Sequence, residues 1–207
     1  MARQLGFEKL KKSDENGPFD DFKSRTAHGG SLRLGQRKLH RPLDIRRPIH
    51  LILKSSQARG TWSFMRPSNI KVIDRVVFKA ASKFKVKVYK EANSGNHLHL
   101  IVKAENKENF KNFLRTLTAL LARAITNARK GHPLKKRFWD TLAYTRLVTW
   151  GREFLAVKRY LTLNTLETLG AIPKRSPGQR ATKKILDLNL EEYLDEFLDQ
   201  QPKSYSH

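Results

Sequence analysis

Two hydrophobic periods alternate along residues 48–170, and their order leaves few folds open to the chain. IHLILK at 49–54 alternates, with Ile49, Leu51 and Leu53 on one face and His50, Ile52 and Lys54 on the other, as in a strand buried on one side. NIKVIDRVVFKAASKF at 69–84 repeats apolar positions at Ile70, Ile73, Val76, Val77, Ala80, Ala81 and Phe84, which is helical spacing. FKVKVYKEA returns to strand, Asn93-Ser94-Gly95-Asn96 supplies a turn, and HLHLIVKA follows as its hairpin partner. Asn106 then caps a long helix striped by Phe110, Phe113, Leu117, Leu121 and Ile125, which Gly131-His132-Pro133 ends. RFWDTLAYTRLVTW at 137–150 reads mostly as strand closed by Gly151, and REFLAVKRYLTLNTLETL as a second long helix ending at Gly170. The first six elements have the split βαβ order of an α+β, ferredoxin-like βαββαβ antiparallel sheet, with the first and third strands adjacent at its centre.

The flanks differ from this core. Residues 1–46 are polar, basic and punctuated by Gly17-Pro18, Gly29-Gly30, Gly35 and Pro42, and read as a flexible arm that is disordered or folds on its target. The catalytic-type domain spans 47–170. A basic linker covers 171–182, with Pro173 and Pro177, and an acidic amphipathic tail covers 183–207. Three roles are open to the tail: packing as an extra helix, folding over a basic site as a mimic of the polyanion, or contacts in a homodimer.

Charge sets the partner class. Lys and Arg number 42 against 19 Asp and Glu, a formal net charge of +23. Such a chain concentrates polyanions and releases counterions when it neutralises phosphates, so nucleic acid is the first partner to consider. No apolar run is long enough to span a membrane, and the N-terminus carries no secretory signal. The absence of cysteine excludes disulfide staples, thiolate metal ligands and a thiol nucleophile. Arg37, Lys38, Arg41, Arg46 and Arg47 of the arm are candidate phosphate contacts. Arg59, Trp62 and Arg66 in the 55–68 loop could stack on bases and contact phosphate, or pack onto the core edge.

His97 and His99 lie two apart on a strand, so both imidazoles share one face, while Leu98, Leu100 and Val102 point into the core. Two imidazoles on a rigid central strand can clamp one divalent cation, and His50 on the neighbouring central strand could lie near them. On the following helix, Tyr160 and Asn164 are one turn apart on one face. If that face lies over the histidine strand, Asn164 can offer an oxygen ligand and Tyr160 a phenol nucleophile to a phosphate, with the cation balancing the developing charge.

Together these residues resemble a known family. HLHLIV resembles the His-hydrophobic-His motif of the single-tyrosine (HUH) transposases. RYLTLN followed by Gly170 resembles the tyrosine helix of their REP-associated branch, usually YIxxNPVxxG, and Phe138-Trp139 matches a pair that often precedes it. The resemblance covers roughly residues 46–170. Thr165 stands where the family has proline, Gly170 comes one residue late, and Gly95 replaces a proline ahead of the first histidine. The resemblance implies that His97 and His99 are metal ligands with Asn164 as the third, that Tyr160 is the nucleophile, and that the metal is Mg²⁺ or Mn²⁺. The reaction it implies is cleavage and strand transfer of single-stranded or hairpin DNA through a 5′-phosphotyrosine, in a bacterial cytoplasm at the nucleoid. A non-catalytic hairpin DNA- or RNA-binding protein of the same fold, and a basic ribosomal or nucleoid protein, are the competing expectations.

Overall fold

The computed structural model describes residues 26–33, 35, 39–176 and 188–200. Five strands form one antiparallel sheet: β1 (Ala27–His28), β2 (Ile49–Lys54), β3 (Val86–Asn93), β4 (His97–Ala104) and β5 (Tyr144–Leu147), in the order β1-β5-β2-β4-β3. Four α-helices accompany it among the described residues: α1 (Pro67–Lys83), α2 (Lys107–Thr126), α3 (Arg152–Leu169) and α4 (Leu190–Asp199). Strands β2 to β5 with α1 and α2 make the ferredoxin-like unit. As expected, its first and third strands, β2 and β4, lie side by side, with Ile49 opposite Val102 and Lys54 opposite His97.

The alternation of β2 and β4 sends Leu51, Leu53, Leu98, Leu100 and Val102 to one face, where α1 and α2 cover them. Ile73, Val77, Phe110, Phe113, Leu117 and Leu121 complete this core and are almost wholly buried. Each Leu or Phe side chain removed from water there contributes roughly 1.5–3 kcal/mol before its conformational cost. Pro67 opens α1 at its first turn, where a missing N–H costs nothing, so the helix begins two residues before its periodic pattern. Asn106 caps α2 as expected, its Oδ1 accepting from the Asn109 N–H at 2.7 Å. That helix stops before Gly131, because Asn127 takes a left-handed conformation with φ 54°.

The opposite face of the sheet is covered by α3. Ala92, Ile101 and Val148 meet Val157 and Leu161 there, with Tyr89 and Phe154 at the edge. Beyond α3 lies α4, where Leu190 and Leu194 pack on Leu163, Leu166 and Ile172. Glu191 of α4 reaches Lys90 Nζ at 2.6 Å, Lys158 Nζ at 3.8 Å and Thr162 Oγ1 at 3.0 Å. The described part of the acidic tail therefore packs as an extra helix on α3.

Two expectations change. The segment 137–150 is strand only over Tyr144–Leu147. Phe138 and Trp139 fill the core edge beside Phe64, with ring centroids at 6.2 and 6.1 Å, and Trp139 Nε1 donates to Thr118 O at 3.0 Å. Burial of these rings takes the place of a ladder. The second change is at the arm, whose described part is docked. Ala27 and His28 pair with Arg146 and Thr145, His28 Nε2 meets Leu39 O at 3.0 Å, and Gly30 N donates to Leu142 O at 2.8 Å. Arg37 and Lys38 lie outside the described residues.

Gly29 makes this docking possible. Its φ is +83°, and a Cβ there would stand 2.1 Å from the Ala143 carbonyl oxygen. Gly170, the left-handed cap of α3 with φ +76°, has open space around the same position. Gly170→Ala is expected to cost about 1 kcal/mol from conformation alone. Gly29→Ala is expected to cost about 2–4 kcal/mol, because backbone must also move. Urea unfolding of the two variants checks this, and equal midpoints would contradict the tight approach of β1 to residue 143.

Candidate active site

The open part of the sheet face lies beside α3, where β4 carries histidine in place of an apolar residue. Period two places His97, His99 and Ile101 on this face; α3 covers Ile101, and a cleft of about 1050 Å³ opens over the other two. His50 of β2 enters from next door, since His50 pairs with Ile101 and Ile52 with His99, which puts the two imidazoles on a diagonal. His99 Nδ1 and His50 Nε2 are 3.4 Å apart, and the rings stack at 5.7 Å between centroids. The His97 ring stacks on His99 at 6.0 Å, and its Nδ1 meets Asn96 Oδ1 at 2.6 Å. The turn asparagine thus engages one nitrogen of that ring, which lines the cleft.

From the other wall, α3 presents Tyr160. Val157 and Leu161 bury themselves in the sheet, so Tyr160, between their directions and the solvent, is 43% exposed. Its ring stands edge-on to His99 at 6.1 Å and to His50 at 6.4 Å. The tyrosine and the histidines therefore meet within one chain. Asn164, one turn on, lines the same cleft, but its Oδ1 accepts from Arg175 Nη2 at 3.1 Å. Arg175 is also paired with Glu167, and its guanidinium carbon lies 6.0 Å from the Tyr160 ring centroid.

Four basic side chains, Lys54, Arg146, Lys174 and Arg175, line the cleft together with three acidic ones, Asp140, Glu153 and Glu167. Arg146 projects from β5 and is held by Glu153, whose other oxygen accepts from the Thr149 N–H at 2.7 Å. Burial, then the neighbouring His99 and Arg146, pushes His50 down to about 3. Burial and His97 push His99 down to about 4. His97 is lowered too, by burial and Lys54, with Asp140 acting the other way. All three imidazoles are neutral at pH 7, the form that ligates a metal.

Imidazole nitrogens and a carboxamide oxygen are donor types that a divalent cation takes, but the 3.4 Å contact of His99 Nδ1 with His50 Nε2 is a hydrogen bond that holds a proton between those two nitrogens. Among the described residues, no group of three or more His, Cys, Asp or Glu comes together tightly enough to close a coordination sphere.

The other candidates from the sequence fall in different places. Arg41 is turned inward, donating to Ala143 O at 2.9 Å and to Thr145 Oγ1, and burial lowers its pKa to about 10. Trp62 packs against the main core. Arg59 and Arg66 are exposed outside the cleft. Arg46 is exposed beside Asp44, and Arg47 Nη2 donates to Thr149 Oγ1 at 3.2 Å. Arg146, Lys174 and Arg175 were not singled out by sequence reasoning. Their only signal was charge, in a chain where basic residues are everywhere.

No known family profile matches the chain, and no curated protein does. Among solved structures, it resembles a REP-associated tyrosine transposase bound to a REP hairpin, with TM-score 0.51 and 11% identity over 83% of this chain and 92% of that one. A candidate transposase from Deinococcus radiodurans R1 is also similar, with TM-score 0.38 and 12% identity over 62% of this chain and 98% of that one. The chain therefore has the fold of a REP-associated tyrosine transposase.

The neutral histidines make stability pH-dependent. Both folded pKa values lie below the ordinary 6.5, so between pH 6.5 and about 4 the unfolded chain takes up protons that the folded chain refuses. Their contribution is complete above pH 6.5 and is lost as pH falls, down to about 4 for His99 and about 3 for His50. Each pH unit between the folded and unfolded titration midpoints of one imidazole is worth about 1.4 kcal/mol. A His50→Gln/His99→Gln double variant is expected to show a flatter stability profile from pH 6.5 to 4 than the parent, by a few kcal/mol in all. Parallel profiles in urea unfolding would refute burial of neutral imidazoles.

Proposed function

We propose that the chain cuts and rejoins single-stranded DNA beside a hairpin, with Tyr160 as nucleophile. The observation that carries this reading is the Tyr160 ring, about 6 Å from those of His50 and His99 in a cleft that Lys54 and Lys174 also line. In the reaction, Tyr160 Oη forms a bond to the scissile phosphorus while the bond from phosphorus to the 3′-oxygen breaks. The phenol gives up its proton and the leaving 3′-oxygen gains one, so the products are a 5′-phosphotyrosine and a free 3′-hydroxyl. The covalent link keeps the phosphodiester's energy available for rejoining.

His97 and His99, with His50 beside them, would hold Mg²⁺ or Mn²⁺, and Asn164, which lines the same cleft, would add an oxygen donor. A divalent cation bound there supplies charge to a phosphoryl oxygen and favours the ionised phenol. Lys54, Arg146, Lys174 and Arg175 draw the phosphate in. In this reading a bound phosphate takes over the Arg175 guanidinium, and the Asn164 carboxamide is released from it. The hairpin in the bound neighbour, together with a net charge of +23, supports hairpin DNA as the ligand. The engagement of Asn164 by Arg175 favours the second reading, a hairpin-binding protein without catalysis.

Incubation with labelled single-stranded hairpin DNA and Mn²⁺ separates the two. The parent is expected to form a covalent adduct on Tyr160. Tyr160→Phe is expected to form none while binding within about twofold, because the hydroxyl is the reacting group and not a major contact. His99→Ala or a chelator is expected to abolish both metal binding and adduct. An adduct in Tyr160→Phe, or full cleavage in the chelator, removes the corresponding assignment. Affinity for the hairpin is expected to fall by about 10³–10⁵ between about 50 and 200 mM salt if some 6–10 phosphates are contacted. A flat response would argue for a non-electrostatic ligand.

A further inference from the structure

Three aromatic rings converge at the start of α3, outside the cleft. Trp150 stands in the turn between β5 and α3, edge-on to Tyr89 at 5.5 Å and tilted against Phe154 at 5.0 Å; Tyr89 and Phe154 meet at 5.4 Å. Tyr89 and Phe154 rest on the Ala92, Ile101 and Val157 cluster, whereas Trp150 is 45% exposed. The exposed indole is nevertheless held firmly. Its Nε1 donates to Arg46 O at 2.8 Å, and the turn itself is tied by Arg47 to Thr149 Oγ1 and by Glu153 to the Thr149 N–H. Tyr89 and Phe154 belong to the second core cluster, whereas the indole of Trp150 lies outside both that core and the cleft, held by a hydrogen bond in an open position.

The surroundings of the rings select the occupant. Arg46, with an 88% exposed side chain, and exposed Arg152 flank Trp150, and Lys87 Nζ lies 5.1 Å from the Tyr89 centroid. Flat apolar surface bordered by cations suits a nucleobase carried on a phosphate chain. Position agrees: the cleft runs along α3 as far as Glu153, and Trp150 stands three residues before it. From Arg152, the first residue of α3, to Tyr160 the helix rises about 12 Å at 1.5 Å per residue, with Trp150 two residues further back. That is the length of three to four nucleotides of a stacked strand at about 3.4 Å each.

We propose that the Tyr89–Trp150–Phe154 cluster is a stacking platform for an unpaired base of the DNA strand, three or four nucleotides from the phosphate presented to Tyr160. The proposal rests on single-stranded DNA being the ligand of the cleft. Trp150 supplies the stacking face, Tyr89 and Phe154 keep it upright, and Arg46, Lys87 and Arg152 hold the neighbouring phosphates.

The test uses full-length protein and two DNA probes, a blunt hairpin and the same hairpin with a single-stranded tail. Trp150→Leu is expected to weaken binding of the tailed hairpin about tenfold and leave the blunt hairpin unchanged, and Trp150→Phe to restore most of the loss. In the parent, 2-aminopurine scanned through the tail is expected to be quenched at one or two adjacent positions; this measurement needs no variant. Equal loss on both probes, no loss on either, or no quenched position overturns the platform. Trp150-dependent binding to anionic phospholipid vesicles without a tail effect overturns it in favour of a membrane surface. The outcome is separable from catalysis. A Tyr160 adduct with no tail-dependent effect of Trp150 sinks the platform alone. A tail-dependent effect without any adduct keeps the platform and sinks the nucleophile.

Discussion

The pairing register of β2 with β4 fixes everything else in the molecule. Ile52 faces His99 and His50 faces Ile101, so all three histidines of the cleft fall on the face away from α1 and α2. A slip of one residue in either strand would exchange its two faces. In β4 it would bury His97 and His99 among Phe110, Phe113 and Leu117 and expose Leu98 and Leu100. The register resists such slips because both faces are specified: leucines and valine seal one, while Ile101 under α3 seals half of the other. The site exists where that second seal stops.

The same division governs α3. One side inserts Val157 and Leu161 into the sheet, and another receives Leu190 and Leu194 of α4. Tyr160 stands at the boundary between buried and open directions, so its position follows from two independent apolar contacts and not from any bond of its own. Glu191 adds a charged tie to Lys90 of β3 and Lys158 of α3. Surface ion pairs contribute little to stability, but this one spans three elements and limits rotation of the helix that carries the tyrosine.

Much of this was legible in the sequence wherever a period ran long enough to be read. HLHLIVKA and REFLAVKRYLTLNTLETL match β4 and α3 residue for residue, and the one-turn spacing of Tyr160 and Asn164 does put both on the cleft. What escaped has local physical causes. A two-residue strand such as Ala27–His28 has no period to detect, and its pairing depends on a close approach that only Gly29 permits. Arg41 looks like any other cation of the arm until Ala143 and Thr145 are seen to hold it. Aromatic residues at 138–139 have strand propensity, yet the core edge takes them. Spacing on a helix also cannot reveal a competitor from another segment, and Arg175 is such a competitor for Asn164.

The electrostatics of the cleft tie these parts together. Lys54, Arg146, Lys174 and Arg175 surround imidazoles that burial keeps uncharged. Protonated imidazoles would add to the attraction for phosphate but would repel a cation and have no free lone pair for it. Burial removes that option across the neutral pH range, and under the proposed function the attraction for phosphate falls to the lysines and arginines instead. The division of labour is spatial: neutral donors at the floor on β2 and β4, fixed cations on the rim, and a phenol on α3 between the two. Because Trp150 belongs to the turn that starts α3 and Tyr160 to its middle, a base stacked on the one and a phosphate facing the other would be measured against a single rigid helix. The distance between them is then set by the rise of the helix together with the turn that Arg47 and Glu153 hold through Thr149.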